Sequence, residues 1–288
     1  MRKSIDLDSP DRPFDNIINF RDVGRSINSL MGRQVLKEGI LFRSARLDDA
    51  SERDKKRLTD ELHIGSIIDL RSSTEHDMAT SKRGDGQPSN GYSHLPRLEG
   101  VRTHLISLTG KAFERSLLWR LDWWNFLKVL SLAASGNRPA AVCLVGEQVM
   151  TPRGLTGLAK DTLDSSTVEM RDIFERVSAD GPVLVHCTQG KDRTGLVILM
   201  LLLLAGVVSE EALVADYVRS EGELVVEVEE RMKEIRKLGL GVEYTRCPGE
   251  FVGEISEYLG GFGGVEGYLG SVGVSSDVVD RIRGKLLV

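Results

Sequence analysis

His186-Cys187-Thr188-Gln189-Gly190-Lys191-Asp192-Arg193-Thr194-Gly195 follows a turn at Gly181-Pro182 and the short apolar run Val183-Leu184-Val185, and leads into an apolar stretch from Leu196 to Val208. The run is the length of a buried strand. The apolar stretch is too short to cross a bilayer, which needs about 20 residues, and reads as a core helix. A loop between strand and helix can turn successive backbone N–H groups toward one centre and add the positive end of the helix to them. Cys187 and Arg193 enclose such a loop. Average residue usage puts a chance His-Cys-x5-Arg-Thr match in a chain of this length at roughly one in several thousand.

The residue types fit one chemistry. The field that binds a phosphate dianion also stabilises a thiolate, which makes Cys187 a nucleophile. Arg193 offers a planar fork for two phosphoryl oxygens, in the ground state and as charge spreads over them; lysine has no such fork. Gly190 and Gly195 suit sharp turning or close backbone approach. Thr194 places a hydroxyl where it can support the leaving thiolate when a phosphocysteine is hydrolysed. His186 orients the loop rather than moving protons. Thr188 through Thr194 form the phosphate-binding set. Within it Lys191 reads as a second cation at the mouth, favouring substrates with more than one phosphate; the alternative is a lysine that balances Asp192. Cys143 and Cys247 carry no paired spacing and read as inert, so neither a disulfide framework nor a zinc site is expected. No metal or other cofactor is called for by this chemistry.

The rest of the chain bounds the class. It has 288 residues, 41% hydrophobic content and a net charge of −5, as expected of an ordinary globular chain, and no basic stripe points to nucleic acid. The first residues lack an apolar signal core, so a cytoplasmic location is expected. Residues 1–13 read as a flexible arm. Strands are expected at Ile40 to Arg43, Ile64 to Leu70 and Tyr92 to Pro96. Helices are expected from a Ser51/Asp54 capping box to about His63, over Lys111 to Ala134, around Met170 to Val177, from a Ser209 cap to about Ser220, over Glu223 to Leu238 and over Asp277 to Leu287. Residues 80–91 read as a polar loop and 259–273 as glycine-rich turns. The alternation is that of an α/β protein.

HCTQGKDRTG, with NFRDVG, LFRSARLDDAS and IGSIIDLRSSTEHD before it and ADYVRSEG after it, resembles the bacterial and fungal tyrosine-protein phosphatase-like family with the Lys-Asp-Arg loop. The likeness spans about residues 14–288. It implies a cysteine-phosphatase fold: a central, mostly parallel sheet flanked by helices in a single domain over 14–288, with helical lid insertions around 111–135 and 221–260. It further implies hydrolysis of phosphotyrosine, and in some members phosphoserine, phosphothreonine or phosphoinositides, with Cys187 as nucleophile and Arg193 as clamp. The partners are then phosphoproteins or phosphoinositides.

Expulsion of an alkoxide or phenoxide needs a proton donor opposite the thiolate. Trp-Pro-Asp does not occur. The resemblance directs attention to the Leu95-Pro96 exit and hence to Glu99; Asp192 is the alternative and Asp69 the third, though Asp69 beside Arg71 reads better as an ion pair. Asp161 and Asp164 are outsiders that could be helix caps. Arg21, Asp22, Arg43 and Ser44 read as buried polar staples. Trp119, Trp123 and Trp124 read as core, with a lid or a peripheral membrane contact as the sharper alternative. Two other functions stay open: a phosphate-binding module without turnover, and sulfur or arsenate chemistry on a similar loop.

Overall fold

The computed structural model describes residues 13–82 and 92–288. Most of the expected arm and most of the 80–91 loop lie outside these residues. Five strands form one sheet: β1 Arg21–Asp22, β2 Leu41–Ser44, β3 Ser66–Asp69, β4 Arg102–Leu105 and β5 Val183–His186, in the order β1-β2-β5-β3-β4. All pairs are parallel except β1 with β2. A parallel sheet is covered on both faces, and the strands alternate accordingly. Leu41, Ile68, Val183 and Val185 face the larger core, which holds Met170, Ile173, Phe174, Val177 and the helix Asp192–Ala205. Phe42, Ile67 and Leu184 face a smaller core with Ile17, Leu47 and Leu58. The α/β arrangement expected from the sequence is present.

The register aligns Ser44 with His186, and His186 with Asp69, which in turn aligns with Leu105. The carboxyl ends of four parallel strands therefore share one edge, where open α/β sheets bind their ligands.

Several local expectations are corrected. Tyr92 to Pro96 is not a strand; the sheet position belongs to Arg102–Leu105, where the backbone is free of proline. The helix expected over Lys111 to Ala134 is two, Lys111–Trp119 and Trp123–Ala134, because Asp122 caps the second through the N–H groups of Trp124 and Asn125. The glycine-rich 259–273 segment is largely helical, in Glu250–Gly260 and Gly264–Ser271, since Phe251, Val252, Ile255, Leu259, Tyr268 and Leu269 bury a common face. Tertiary burial outweighs glycine's low helix propensity there. The 223–238 helix begins as a short 3₁₀ turn, Val225–Glu227, before Val228–Lys237.

Candidate active site

β5 delivers His186 to the sheet edge, the loop turns under Cys187, and a helix starts at Asp192. The loop's shape is set from outside. The carbonyl of Thr188 accepts from the Arg46 N–H at 3.0 Å, that of Gln189 from Asn19 Nδ2 at 2.9 Å, and that of Gly190 from Arg43 Nη2 at 2.7 Å. The Cys187 carbonyl lies 3.2 Å from His186 Nδ1. In a trans peptide the following N–H points opposite its carbonyl. Four carbonyls held outward thus leave the amides of residues 188–191 facing inward, and the Gly190 N–H indeed donates to Cys187 Sγ at 3.3 Å. Gly190 adopts φ +70°, and a Cβ there would lie 2.1 Å from the Ser44 carbonyl oxygen. At Gly195 the constraint is packing, with the Tyr217 ring 3.1 Å from where a Cβ would sit.

Beneath the loop, Arg21 Nε and Arg43 Nη1 both donate to Asp216, each at 2.8 Å, and all three side chains are buried. Burial by itself would raise the Asp216 carboxyl, but the two guanidiniums outweigh it and hold the group down to about 2. Arg21 and Arg43 are the buried polar staples that the sequence suggested. Asp22 caps the helix Val23–Met31, accepting from the Arg25 N–H.

Arg193 is oriented by Glu75. Its Nη1 and Nη2 each reach a Glu75 carboxylate oxygen at 2.6 Å, and Nη1 also faces the Leu70 carbonyl at 3.3 Å and the Thr109 hydroxyl at 3.2 Å. Of the five guanidinium N–H groups, Nε–H and the second Nη2–H have no acceptor among the described residues. These two run parallel along one edge, the edge that fits two phosphoryl oxygens. The carboxyl of Glu75 is partly buried, which would raise it, yet Arg193 and the Thr188 hydroxyl hold it far below the ordinary glutamate range. Sequence reasoning missed Glu75. Its signal was the Ser72-x-x-Glu75 capping box, which the structure forms through the Ser72 N–H and the Glu75 N–H.

Lys191 does not stand at the mouth. It is 0% exposed, its Nζ 2.6 Å from Asp192 Oδ1 and 3.0 Å from the Arg246 carbonyl, so its charge is spent tying the loop to the 246 segment. Arg46, whose N–H meets the Thr188 carbonyl, is half-buried and bound bidentately to Glu227. Glu99 is corrected as well. It precedes β4, whose amino end aligns with Ser66 and, through β3, with Val183, so it lies at the sheet edge opposite Cys187. Asp69 is fully buried, paired with Arg71 at 2.8 Å and 3.6 Å from His186 Nε2. Burial would raise its carboxyl, but His186 and Arg71 bring it down to about 2. Asp161 is no cap: it is buried between Arg120 and Arg153. Asp164 accepts from the Tyr258 hydroxyl. Asp192 is thus the one sequence-proposed acid that the fold keeps at the loop with part of its carboxylate exposed. Thr194 Oγ1 is buried with no hydrogen-bond partner among the described residues. Cys247 lies buried beside Lys191 and Asp192, and burial pushes its thiol up to about 11.

Comparison with known proteins gives the chain's family. The chain is 28% identical over 293 residues to the "Triple specificity protein phosphatase PtpB" of Mycobacterium tuberculosis, covering 93% of this chain and 96% of that protein. It is 31% identical over 141 residues to a "Tyrosine-protein phosphatase" of Nostoc commune, covering 43% and 46% of the two chains. The model of the tyrosine phosphatase family matches residues 12–288, and the chain belongs to that family.

Proposed function

We propose that this phosphatase hydrolyses phosphomonoesters through a phosphocysteine on Cys187. The observation that carries the reading is the loop with its carbonyls held outward, its amides and Cys187 Sγ inward, and one edge of Arg193 unoccupied. The thiolate attacks phosphorus in line with the ester oxygen, the P–O bond breaks, and Asp192 gives its proton to the departing oxygen. The amides and the Arg193 edge stabilise the three equatorial oxygens throughout. Water, deprotonated by Asp192, then attacks phosphorus and the P–S bond breaks. The Thr194 hydroxyl, without a hydrogen-bond partner among the described residues, supports the thiolate that returns. His186 and Asp69 position the loop behind Cys187.

The substrate reading is a phosphotyrosine or phosphoserine protein, or a phosphoinositide, consistent with the triple specificity in the name of the mycobacterial relative. With Lys191 buried, a second phosphate would have to be met by Arg46 released from Glu227, since the Arg46 backbone already joins the loop at Thr188.

The deciding experiment compares aryl phosphate hydrolysis by the wild type and Cys187→Ser, with EDTA present. Metal-independent activity, blocked by vanadate and abolished in the variant, is expected. A Cys187→Ser enzyme with undiminished turnover would refute the phosphocysteine. Asp192→Asn is expected to slow substrates with poor leaving groups on the order of a hundredfold and activated aryl phosphates far less. Equal losses on both would remove Asp192 from the acid role.

A further inference from the structure

The chain holds three tryptophans, all within residues 119–124, and they are exposed: Trp119 by 76%, Trp123 by 68% and Trp124 by 73%. Tryptophan is highly buried on average, and a cluster left in water marks an interaction surface. Along Trp123–Ala134, Trp123, Leu127 and Leu130 recur at i, i+4 and i+7, all exposed, while Val129 faces inward. Trp119 stacks on Phe126 with 6.3 Å between ring centroids, which joins the two helices into one face.

The face is firmly mounted near the catalytic loop. Lys111–Trp119 begins two residues after Thr109, the hydroxyl facing Arg193. Phe113 and Leu117 pack on Val149, and Arg120 is ion-paired with Asp161.

Its charge runs against that of the chain. Residues 111–138 carry five cations, Lys111, Arg115, Arg120, Lys128 and Arg138, and two anions, Glu114 and Asp122, in a protein of net charge −5. Asp122 is committed to the helix cap and Arg120 to Asp161, which leaves Lys111, Arg115, Lys128 and Arg138 against Glu114. Interfaces with proteins are depleted in lysine, whereas tryptophan and leucine on one side with Lys and Arg around them is the composition of a helix that lies on a bilayer.

We propose that this face docks the enzyme on anionic lipid bilayers, seating Trp119, Trp123, Trp124, Leu127 and Leu130 at the boundary of headgroup and acyl chain while Lys128, Arg115 and Arg138 meet the headgroups. The purpose assigned to it, delivery of the loop to phosphomonoesters carried by the membrane, rests on the function proposed above; the docking itself does not.

Because every tryptophan lies on this face, intrinsic emission reports on it alone. The full chain is mixed with vesicles of phosphatidylcholine, with and without phosphatidylserine, a phosphodiester that is no substrate. The expected result is a blue shift and co-sedimentation with the anionic vesicles only, both weakened by salt. Trp123→Ala/Trp124→Ala, and separately Lys128→Glu/Arg138→Glu, should lose at least roughly tenfold in partitioning and keep soluble aryl phosphate hydrolysis. Absence of shift and sedimentation at low salt overturns the proposal. So does equal binding to neutral vesicles, or a tryptophan-dependent self-association without lipid, which would give the face to a second copy of the chain. Vesicle binding by a protein that fails to hydrolyse aryl phosphate would sink the proposed function and leave the docking intact.

Discussion

Arg193 depends on Glu75 for its direction. A guanidinium held by two bonds at 2.6 Å presents a fixed edge, and without the carboxylate it gains rotamers and, in the proposed mechanism, loses alignment with the transition state. Glu75→Gln should lower kcat on the order of tenfold to a hundredfold with a much smaller change in KM; steady-state kinetics will check this, and a change confined to KM would count against positioning. Gly190 offers a second test. A Cβ at φ +70° that also meets the Ser44 carbonyl oxygen cannot be accommodated by rotamer choice, because backbone opposes backbone. Gly190→Ala should cost at least ~2 kcal/mol in a urea melt and abolish turnover.

At the level of elements, the joint between β1, β2, the Cys187–Arg193 loop and the helix Glu210–Glu223 is one carboxylate, Asp216, with Arg21 and Arg43. Removing its charge strands two buried guanidiniums. Asp216→Asn should destabilise by about 3–5 kcal/mol, measured by urea unfolding. The same pairing fixes an acid limit. With folded values of about 2 for both Asp216 and Asp69, against about 3.9 in an unfolded chain, their contribution is complete above about pH 4 and is lost as pH falls toward about 2. Acid titration of Asp216→Asn should show a shallower loss through that window. Lys191 joins another element: it ties the loop to the 246 segment, and through Arg46 and Glu227 the neighbouring 3₁₀ turn closes on the loop's other side.

Over the whole molecule, three histidines sit inside one polar network behind the loop: His186 and His76 near Asp69, and His94 Nε2 at 2.9 Å from His76 Nδ1. Burial lowers all three below the ordinary histidine range. The sign follows. Below about pH 6.5 the unfolded chain takes up protons that the folded one refuses, so stability should decline as pH drops from neutrality, well before the carboxylates titrate. Urea midpoints measured between neutral and mildly acidic pH will check this, and His94→Gln should flatten the decline. The network was not legible in the sequence. His76 and His94 come from separate segments that meet only when the chain packs against the end of β3.

The sequence by itself determined the strand, loop and helix around Cys187, the α/β class and the residues of the loop, because these rest on local spacing: an apolar run of strand length, glycines at the turn, and an apolar helix behind it. It also identified Arg21 and Arg43 as buried staples, though not Asp216 as their partner. Tertiary structure alone decided which residues surround the loop. Strand order put Glu99 at the far edge of the sheet and brought in Glu75, Thr109, Asn19 and Arg46. Packing, not composition, turned Lys191 inward and left the tryptophans outside. Periodicity shows that a helix has two faces, but which face meets protein depends on elements far away in the chain, whose positions only the folded sheet fixes.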